Sequence, residues 1–520
     1  MPYSKDILDF KRNMLKAAAS AGSLHNSYFD QERIILDVRK AIDSHIPYSG
    51  LGARSPNDYF SSIKIIGACL QITEQSELCN GPHKKNNNDI DTNLIIGGRY
   101  SNNSILTNTP FFVSGMSYGS LKLPAKIALH LALNRLAKEG IKVMMNTGEG
   151  GALPWELYGS DEARSFISKK RQENIINYAE RLLQEHHLDS IDRDHLFCRF
   201  YPLITQYASG RFWRDPSYLL NADAIEIKIG QGAKIGHGGL LPGPKVTELV
   251  AENRGIPPYK VAHSPSRHLD ILGPEDLVAK ILELREITDW KIPIIVKIGS
   301  SRVYDDIEII LKSYADAVSI DGLVGGTGAA PWELRDIIGI NTLPSLIPSQ
   351  KAIYDYHLNH QDDKFQLLVH GSVWDAERIA KCIALGASGI GIGTGFLLSM
   401  GCSLVQDCYT NMCPAGLTGS YEKLDIEKSI DSIVNYVRGT LIELKNIARS
   451  LGRRSIYDIK KEDLVTTDQL SSISLDLPLE DGQTYKDIIK DRIAKVLKEK
   501  NLISKRKLTI HDHSGVNNVE

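Results

Sequence analysis

Three cysteines in GCSLVQDCYTNMCPAG (Gly401–Gly416) are the residues most able to do chemistry. Cys402, Cys408 and Cys413 are spaced C-x5-C-x4-C in a chain with only 7 cysteines. Pro414 and Gly416 close the stretch and keep it from continuing as a helix. Thiolates gathered on such a loop suit a metal or an iron–sulfur centre. Zinc draws four ligands from paired short spacings such as C-x2-C, and no second pair follows here. A [4Fe-4S] cluster takes four cysteines, so three favour a three-cysteine cluster such as [3Fe-4S]. Three buried structural thiols are the alternative. A second group is polar. Lys297 ends the apolar run Ile292–Val296, and Glu149 lies among glycines in NTGEGG, where it could position an amine or ammonium. Gln206, Arg211, Lys228, Gln231 and Lys234 supply donors suited to a carboxylate.

The elements that position these residues begin at Phe111. Eight short apolar runs each end in a turn residue: Phe111–Ser114, Val143–Asn146, Leu203–Gln206, Ala224–Lys228, Ile294–Lys297, Ala317–Ile320, Gln366–Val369 and Gly389–Ile392. Amphipathic stretches such as Pro124–Glu139, Pro274–Ile287, Tyr304–Tyr314 and Trp374–Leu385 lie between most of them. Strands alternating with helices imply parallel βαβ units, and eight repeats favour a closed (β/α)8 TIM barrel, an α/β fold. A charged, helical insertion occupies about Pro154–Arg199.

Three regions are expected: a helical N-terminal cap over 1–104, the barrel over 105–424 with the cysteine loop at 401–416, and a helical extension over 425–520. The cap should hold helices near Lys5–Ala19 and Asp30–Asp43, a loop around Gly50–Pro56 and a solvated loop at Lys84–Asn93. The extension should hold helices at Asp425–Ser450 and Thr484–Lys500, then a disordered tail containing His511 and His513.

A net charge of −2 gives no electrostatic case for nucleic acid or a membrane surface. Neither an apolar signal region nor a run near the ~20 residues of a membrane span is present. An odd number of irregularly spaced cysteines is no disulfide framework. A cytoplasmic protein in a reducing compartment is expected.

The loops after the strands, where barrels keep their chemistry, are unusually rich in glycine. They read SGMSYGSL, NTGEGGALP, ASGRF, KIGQGAKIGHGGLLPG, DGLVGGTGAAP, HGSVWD and GIGIGTGF. Glycine lets backbone N–H groups approach a flat or anionic ligand, so a phosphate-bearing cofactor is expected. The last two loops follow strands 7 and 8, a frequent phosphate site, with a helix N-terminus near Gly395. Lys297 would place a cation beside a flavin, stabilising its anionic reduced ring. No G-x-G-x-x-G follows a strand as a dinucleotide fold requires, so electrons should arrive through the cysteine loop.

Taken in order, MSYGSL, NTGEGG, SGRF, EIKIGQGAKIGHGGLLPG, HSPSRHLDI, VKIG, GGTGAAP and NMCPAG resemble the FMN-binding synthase portion of glutamate synthases, from about Ile105 to Leu464. GLGARSP and ELREITDWKIPIIVKIGSSRVYDD look closer to short stand-alone relatives, among them the N-methylglutamate synthase large subunit. The resemblance implies FMN at the barrel mouth and a [3Fe-4S] cluster on Cys402, Cys408 and Cys413. It implies FMN contacts from Ser114, Gly115, Met116, Ser117, Asn146, Gln206, Lys297, Asp321, Gly325, Gly326 and Thr327, and phosphate contacts from Gly371, Ser372, Gly393, Thr394 and Gly395. It also implies reductive amination of 2-oxoglutarate to glutamate, with Lys297 and Glu149 as catalytic residues.

Departures accompany the likeness. The large enzymes begin with a glutaminase domain on an N-terminal cysteine, whereas this chain begins Met1-Pro2-Tyr3. Ammonia would therefore come from solvent or a separate glutaminase-type subunit, and electrons from ferredoxin or an NAD(P)H-oxidising flavoprotein, in an oligomer. Of the large enzymes' C-terminal β-helix only a helical remnant with VNYVRG and SLGRRS is expected. His237 and His370 stand where the family has acids, which opens the identity of the amine. The alternatives are an N-methylglutamate synthase subunit using methylamine and a non-catalytic electron-transfer subunit keeping FMN and cluster.

Overall fold

The computed structural model describes residues 59–66, 90–157, 169–185, 187–188, 196–213, 217–323, 330, 334, 338–404, 408–419 and 424–499. Eight parallel strands close into a barrel. They are β1 (Phe111–Val113), β2 (Met145–Asn146), β3 (Leu203–Ala208), β4 (Ala224–Lys228), β5 (Ile294–Gly299), β6 (Ala317–Asp321), β7 (Gln366–His370) and β8 (Gly389–Ile392). Every apolar run anticipated from the sequence carries one strand, and β8 closes on β1 through Ile390 opposite Phe111. The helices α1 (Leu123–Lys138), α2 (Pro274–Ile287), α3 (Val303–Leu311), α4 (Thr342–His357), α5 (Ala376–Ala384), α6 (Thr394–Ser399) and α7 (Ile426–Ser450) follow in chain order.

Alternate residues of a strand face the same side, so the interior is built in layers. The lower layer is apolar: Phe112, Met144, Ile204, Ala224, Ile295, Ala317 and Leu368 form one cluster. Leu94, Ile96 and Ile105 join it from a hairpin, Leu94–Gly97 paired with Ser104–Thr107, that closes the barrel floor. Two residues further along each strand the chemistry changes. Ser114, Asn146, Gln206, Glu226, Lys297, Ser319 and His370 form a polar ring, and all but half-buried Ser114 are buried.

Outside the barrel, α7 begins at an Asp425 cap that accepts Lys428 N at 3.0 Å. Its Tyr436 hydroxyl donates to Trp374 O at 2.5 Å, and Asp431 pairs with Arg135 of α1 at 2.6 Å. The insertion holds a helix, Lys169–Glu185, that buries Tyr178, Ala179 and Leu183 against the helix Glu248–Arg254. Ile63–Ile65 pairs antiparallel with Leu464–Thr466, tying the two ends of the described chain together. The Lys84–Asn93 expectation needs correction at its end: Ile90 and Thr92 are buried, and Asp91 bridges to Ser455. The isoleucine belongs to the main apolar core, which a polar run of asparagines concealed. The helices expected at Lys5–Ala19 and Asp30–Asp43, the Gly50–Pro56 loop and the histidine tail lie outside the described residues.

One ion pair anchors the lower rim. Asp316 meets the Arg285 guanidinium at 2.5 Å with both side chains 0 % exposed, and it also accepts Ile294 N and Tyr100 N. Removing one partner of a buried pair strands the other charge, at a cost of about 3–5 kcal/mol. Asp316→Ala should therefore lower unfolding free energy by about that much in a denaturant titration. A loss under about 1 kcal/mol would mean that Arg285 finds water instead.

Candidate active site

The polar ring is hydrogen-bonded almost throughout. Glu226 Oε1 accepts Asn146 Nδ2 at 2.9 Å and Gln206 Nε2 at 2.6 Å. His370 lies between two hydroxyls, Ser114 Oγ at 2.9 Å from Nδ1 and Ser319 Oγ at 2.7 Å from Nε2. Burial, aided by nearby Lys297, pushes the pKa of this imidazole well below its ordinary value, so His370 is neutral. Gly391 makes room for it, since a Cβ there would come within 2.0 Å of the ring.

Lys297 is 4 % exposed, and its ammonium lies 3.5 Å from Asp321. Burial disfavours its charge, but Asp321 and Glu226 outweigh that and hold its pKa above the usual lysine value. Lys297 is a permanent cation inside the barrel.

The NTGEGG loop is fixed from beneath by a second buried pair, Lys126 with Glu156 at 2.6 Å. Glu156 Oε2 also accepts Thr147 Oγ1 at 2.8 Å and Leu153 N at 2.7 Å. This holds Glu149 beside Lys228, 3.3 Å away, and within 3.4 Å of Ser264 Oγ. Burial pushes the Glu149 pKa up, but Lys228, Arg254 and Lys234 overcome it and keep the group a carboxylate. Lys234 is 3 % exposed; burial and the neighbouring Lys228 bring its pKa down to about 8, against Glu149. Arg254, equally buried, is brought down to about 10 by burial; its Nη2 donates to Tyr118 O at 2.8 Å and Ser117 Oγ at 3.3 Å. Three cations thus surround one carboxylate.

Arg211 behaves differently. It pairs with Asp270, and Tyr207 and Lys280 hold the same acid at 2.8 and 2.9 Å. It belongs to the barrel rim and not to the Glu149 cluster. Gln231 precedes the short helical turn Gly232–Lys234, and His237 is exposed just beyond it.

On the other side of the mouth, Gly371 (φ 100°) and Ser372 (φ 55°) form a left-handed turn whose Ser372 carbonyl accepts Arg378 Nη1 at 3.0 Å. Gly393 caps α6, which starts at Thr394, while Gly395 serves packing: a Cβ there would stand 2.1 Å from the Tyr436 hydroxyl. Met116 O accepts Lys126 Nζ at 3.4 Å, and Ser117 and Ser120 share a hydrogen bond at 3.0 Å. Gly325, Gly326 and Thr327 lie outside the described residues.

Cys402 and Cys408 are half-buried and Cys413 is buried, and the loop bends through left-handed Gly401, Leu404 and Asn411. Among the described residues no three His, Cys, Asp or Glu side chains are gathered to hold a metal ion. Lys245 reaches the loop: 3 % exposed, it donates to Cys408 O at 2.9 Å and Ser120 O at 3.0 Å. No carboxylate is among its described partners; the Cys408 and Cys413 thiols are the groups that favour its charge. A buried cation near two of the three thiols fits an anionic metal–thiolate centre in charge and donor type.

A profile of the conserved region in glutamate synthase matches residues 71–454. The chain belongs to the glutamate synthase family. Membership makes it an oxidoreductase. A glutamate synthase large subunit-like protein of Rhizobium meliloti is 29 % identical over 89 % of this chain and 98 % of its own. The archaeal glutamate synthase [NADPH] of Methanocaldococcus jannaschii is 35 % identical over 68 % of this chain, which spans only 61 % of that protein. The ferredoxin-dependent glutamate synthase of Pyropia yezoensis is 32 % identical over 67 % of this chain and 21 % of its own. For this family member, no helix among the described residues is long and apolar enough to cross a membrane.

Glu226, Arg254, Ser264 and Ser319 are site residues that the sequence reading missed. Glu226 had a signal, an acid at the inward phase of the apolar strand AIEIK. Arg254 ends a short helix outside the glycine-rich loops and had none.

Proposed function

We propose that this chain carries out reductive amination of 2-oxoglutarate to L-glutamate on FMN, with electrons entering through a [3Fe-4S] cluster. The observation that supports it best is the charge pattern at the mouth: Lys228, Lys234 and Arg254 around Glu149 leave a surplus of two positive charges. A dicarboxylate dianion matches that surplus, and Glu149 remains as the acceptor for an ammonium or amine N–H. FMN, when bound, supplies hydride to the carbon of the imine formed from 2-oxoglutarate and ammonia. Ser114–Ser117, Asn146, Gln206, Lys297, Asp321 and the Gly371–Ser372 turn would hold it, with Lys297 as the fixed cation beneath. Cys402, Cys408 and Cys413 would hold the cluster, which supplies one-electron transfer. An electron donor and a separate source of ammonia complete the system, and the cap, barrel and extension at 1–104, 105–424 and 425–520 are its proposed organisation.

The test is product formation from 2-oxoglutarate by the reduced, reconstituted protein. Glutamate should form with ammonia; N-methylglutamate with methylamine alone would favour the methylamine alternative, and no product with any amine would overturn enzymatic turnover. The pH profile carries a further expectation. Lys234 is charged below about pH 8 and neutral above it, so the KM for 2-oxoglutarate should rise as pH increases through about 8. Lys234→Met should raise that KM about tenfold at pH 7 and remove the inflection, since a charge-assisted contact is worth about 1.5–3 kcal/mol. An inflection that survives in the variant would assign the titration elsewhere.

A further inference from the structure

Glu226 takes no part in the reaction proposed above, yet it stands at the centre of the polar ring. It is 0 % exposed, its Oε1 receives the side-chain amides of Asn146 and Gln206, and its Oε2 is buried without a hydrogen-bond partner. An oxygen that receives two N–H groups can only accept, so both amides must turn their nitrogens toward it. Their carbonyl oxygens then point away from Glu226. Asn146 Oδ1 is occupied by Gly148 N at 2.9 Å. The backbone N–H and carbonyl of Gln206 are both taken by the Tyr218 hydroxyl, at 2.8 and 3.1 Å. That leaves Gln206 Oε1, which takes part in no hydrogen bond among the described residues. Gly115 covers the two amides closely, since a Cβ there would lie 2.8 Å from Gln206 Nε2.

We propose that Glu226 is a positioning residue that sets the hydrogen-bond polarity of the mouth. By holding the Gln206 nitrogen it leaves one carbonyl oxygen for the ligand, and so selects a flat ring edge carrying an N–H, the imide edge of a flavin. The inference rests on the FMN reading above and adds the residue that enforces it. With glutamine at position 226 the constraint is gone, because a neutral amide can donate to Gln206 as well as accept from it.

The test is fluorescence titration of the flavin-stripped full chain with FMN and with N3-methyl-FMN, in which the imide N–H is replaced. Glu226→Gln should weaken FMN about tenfold, one hydrogen bond's worth, and leave N3-methyl-FMN affinity unchanged. A merely structural role would weaken both flavins equally, and that result, or no change for FMN, would overturn the proposal. Gln206→Met removes the acceptor directly and should give the same one-sided loss, which keeps the test open if Glu226→Gln folds poorly. A wild-type chain that binds neither flavin would overturn the FMN reading together with this one.

Discussion

Lys297→Met should lower the rate of hydride transfer about 10²–10³-fold and destabilise the barrel by about 3–5 kcal/mol. Both effects have one cause. Lys297 is 4 % exposed, its ammonium 3.5 Å from Asp321 and within the field of Glu226, and methionine fills its volume without its charge, leaving two buried carboxylates without that counter-charge. The catalytic loss follows because a cation fixed in the barrel stabilises negative charge that develops on a reduced ring and needs no reorganisation to do so. The pH dependence of the stability term has a definite sign. The folded pKa of Lys297 lies above its unfolded value, so its contribution is complete below the ordinary lysine pKa. It is lost only as pH rises through the higher folded value. At neutral pH the wild type and Lys297→Met should therefore differ by the full amount in denaturant midpoint. Single-turnover oxidation of reduced protein by 2-oxoglutarate and ammonia reads the chemical step separately. A variant within about threefold of the wild-type rate would remove Lys297 from the chemistry and leave it a structural ion pair.

The strands were legible because a parallel barrel buries both faces of every strand, and burial on both faces writes itself as a short apolar run. The breaks in that pattern carried as much information. A lysine inside β5 and an acid inside β4 lie at the inward phase, two residues above Ile295 and Ala224 of the apolar floor. Lys297 was recognised because it ended its run; Glu226 was overlooked because isoleucines flank it on both sides. Arg211 shows what local sequence cannot show. It follows a glycine as the other candidate residues do, but Asp270, distant in sequence, pairs with its guanidinium at the rim. Long-range pairing of that kind has no local sequence signature. Gly395 illustrates the same limit: the close approach of Tyr436 from α7 leaves no room for a Cβ there, a packing demand with no local sequence signature.

Cys408→Ser should leave FMN bound and abolish its reduction by an external one-electron donor. The expectation rests on where the loop lies and on what faces it. The stretch from Gly401 follows α6 directly, and α6 begins at the Gly393 turn on the proposed phosphate side of the mouth. Lys245 joins that loop to the β1 side of the mouth by donating to both Cys408 O and Ser120 O. Its ammonium is buried with no carboxylate among its described partners, and an isolated buried charge is costly unless an anion offsets it. Three thiolates holding iron and sulfide would be that anion. Serine lacks the soft donor that holds iron in such clusters, so the variant should lose iron and acid-labile sulfide. The FMN contacts, carried by other loops, should persist. Metal analysis and flavin content measured on the same sample separate these two effects, and stopped-flow reduction by a reduced iron–sulfur protein reads the electron route. Reduction of FMN at the wild-type rate in iron-free Cys408→Ser would show that electrons reach the flavin without the cysteine loop, and Lys245 would then need another counter-charge.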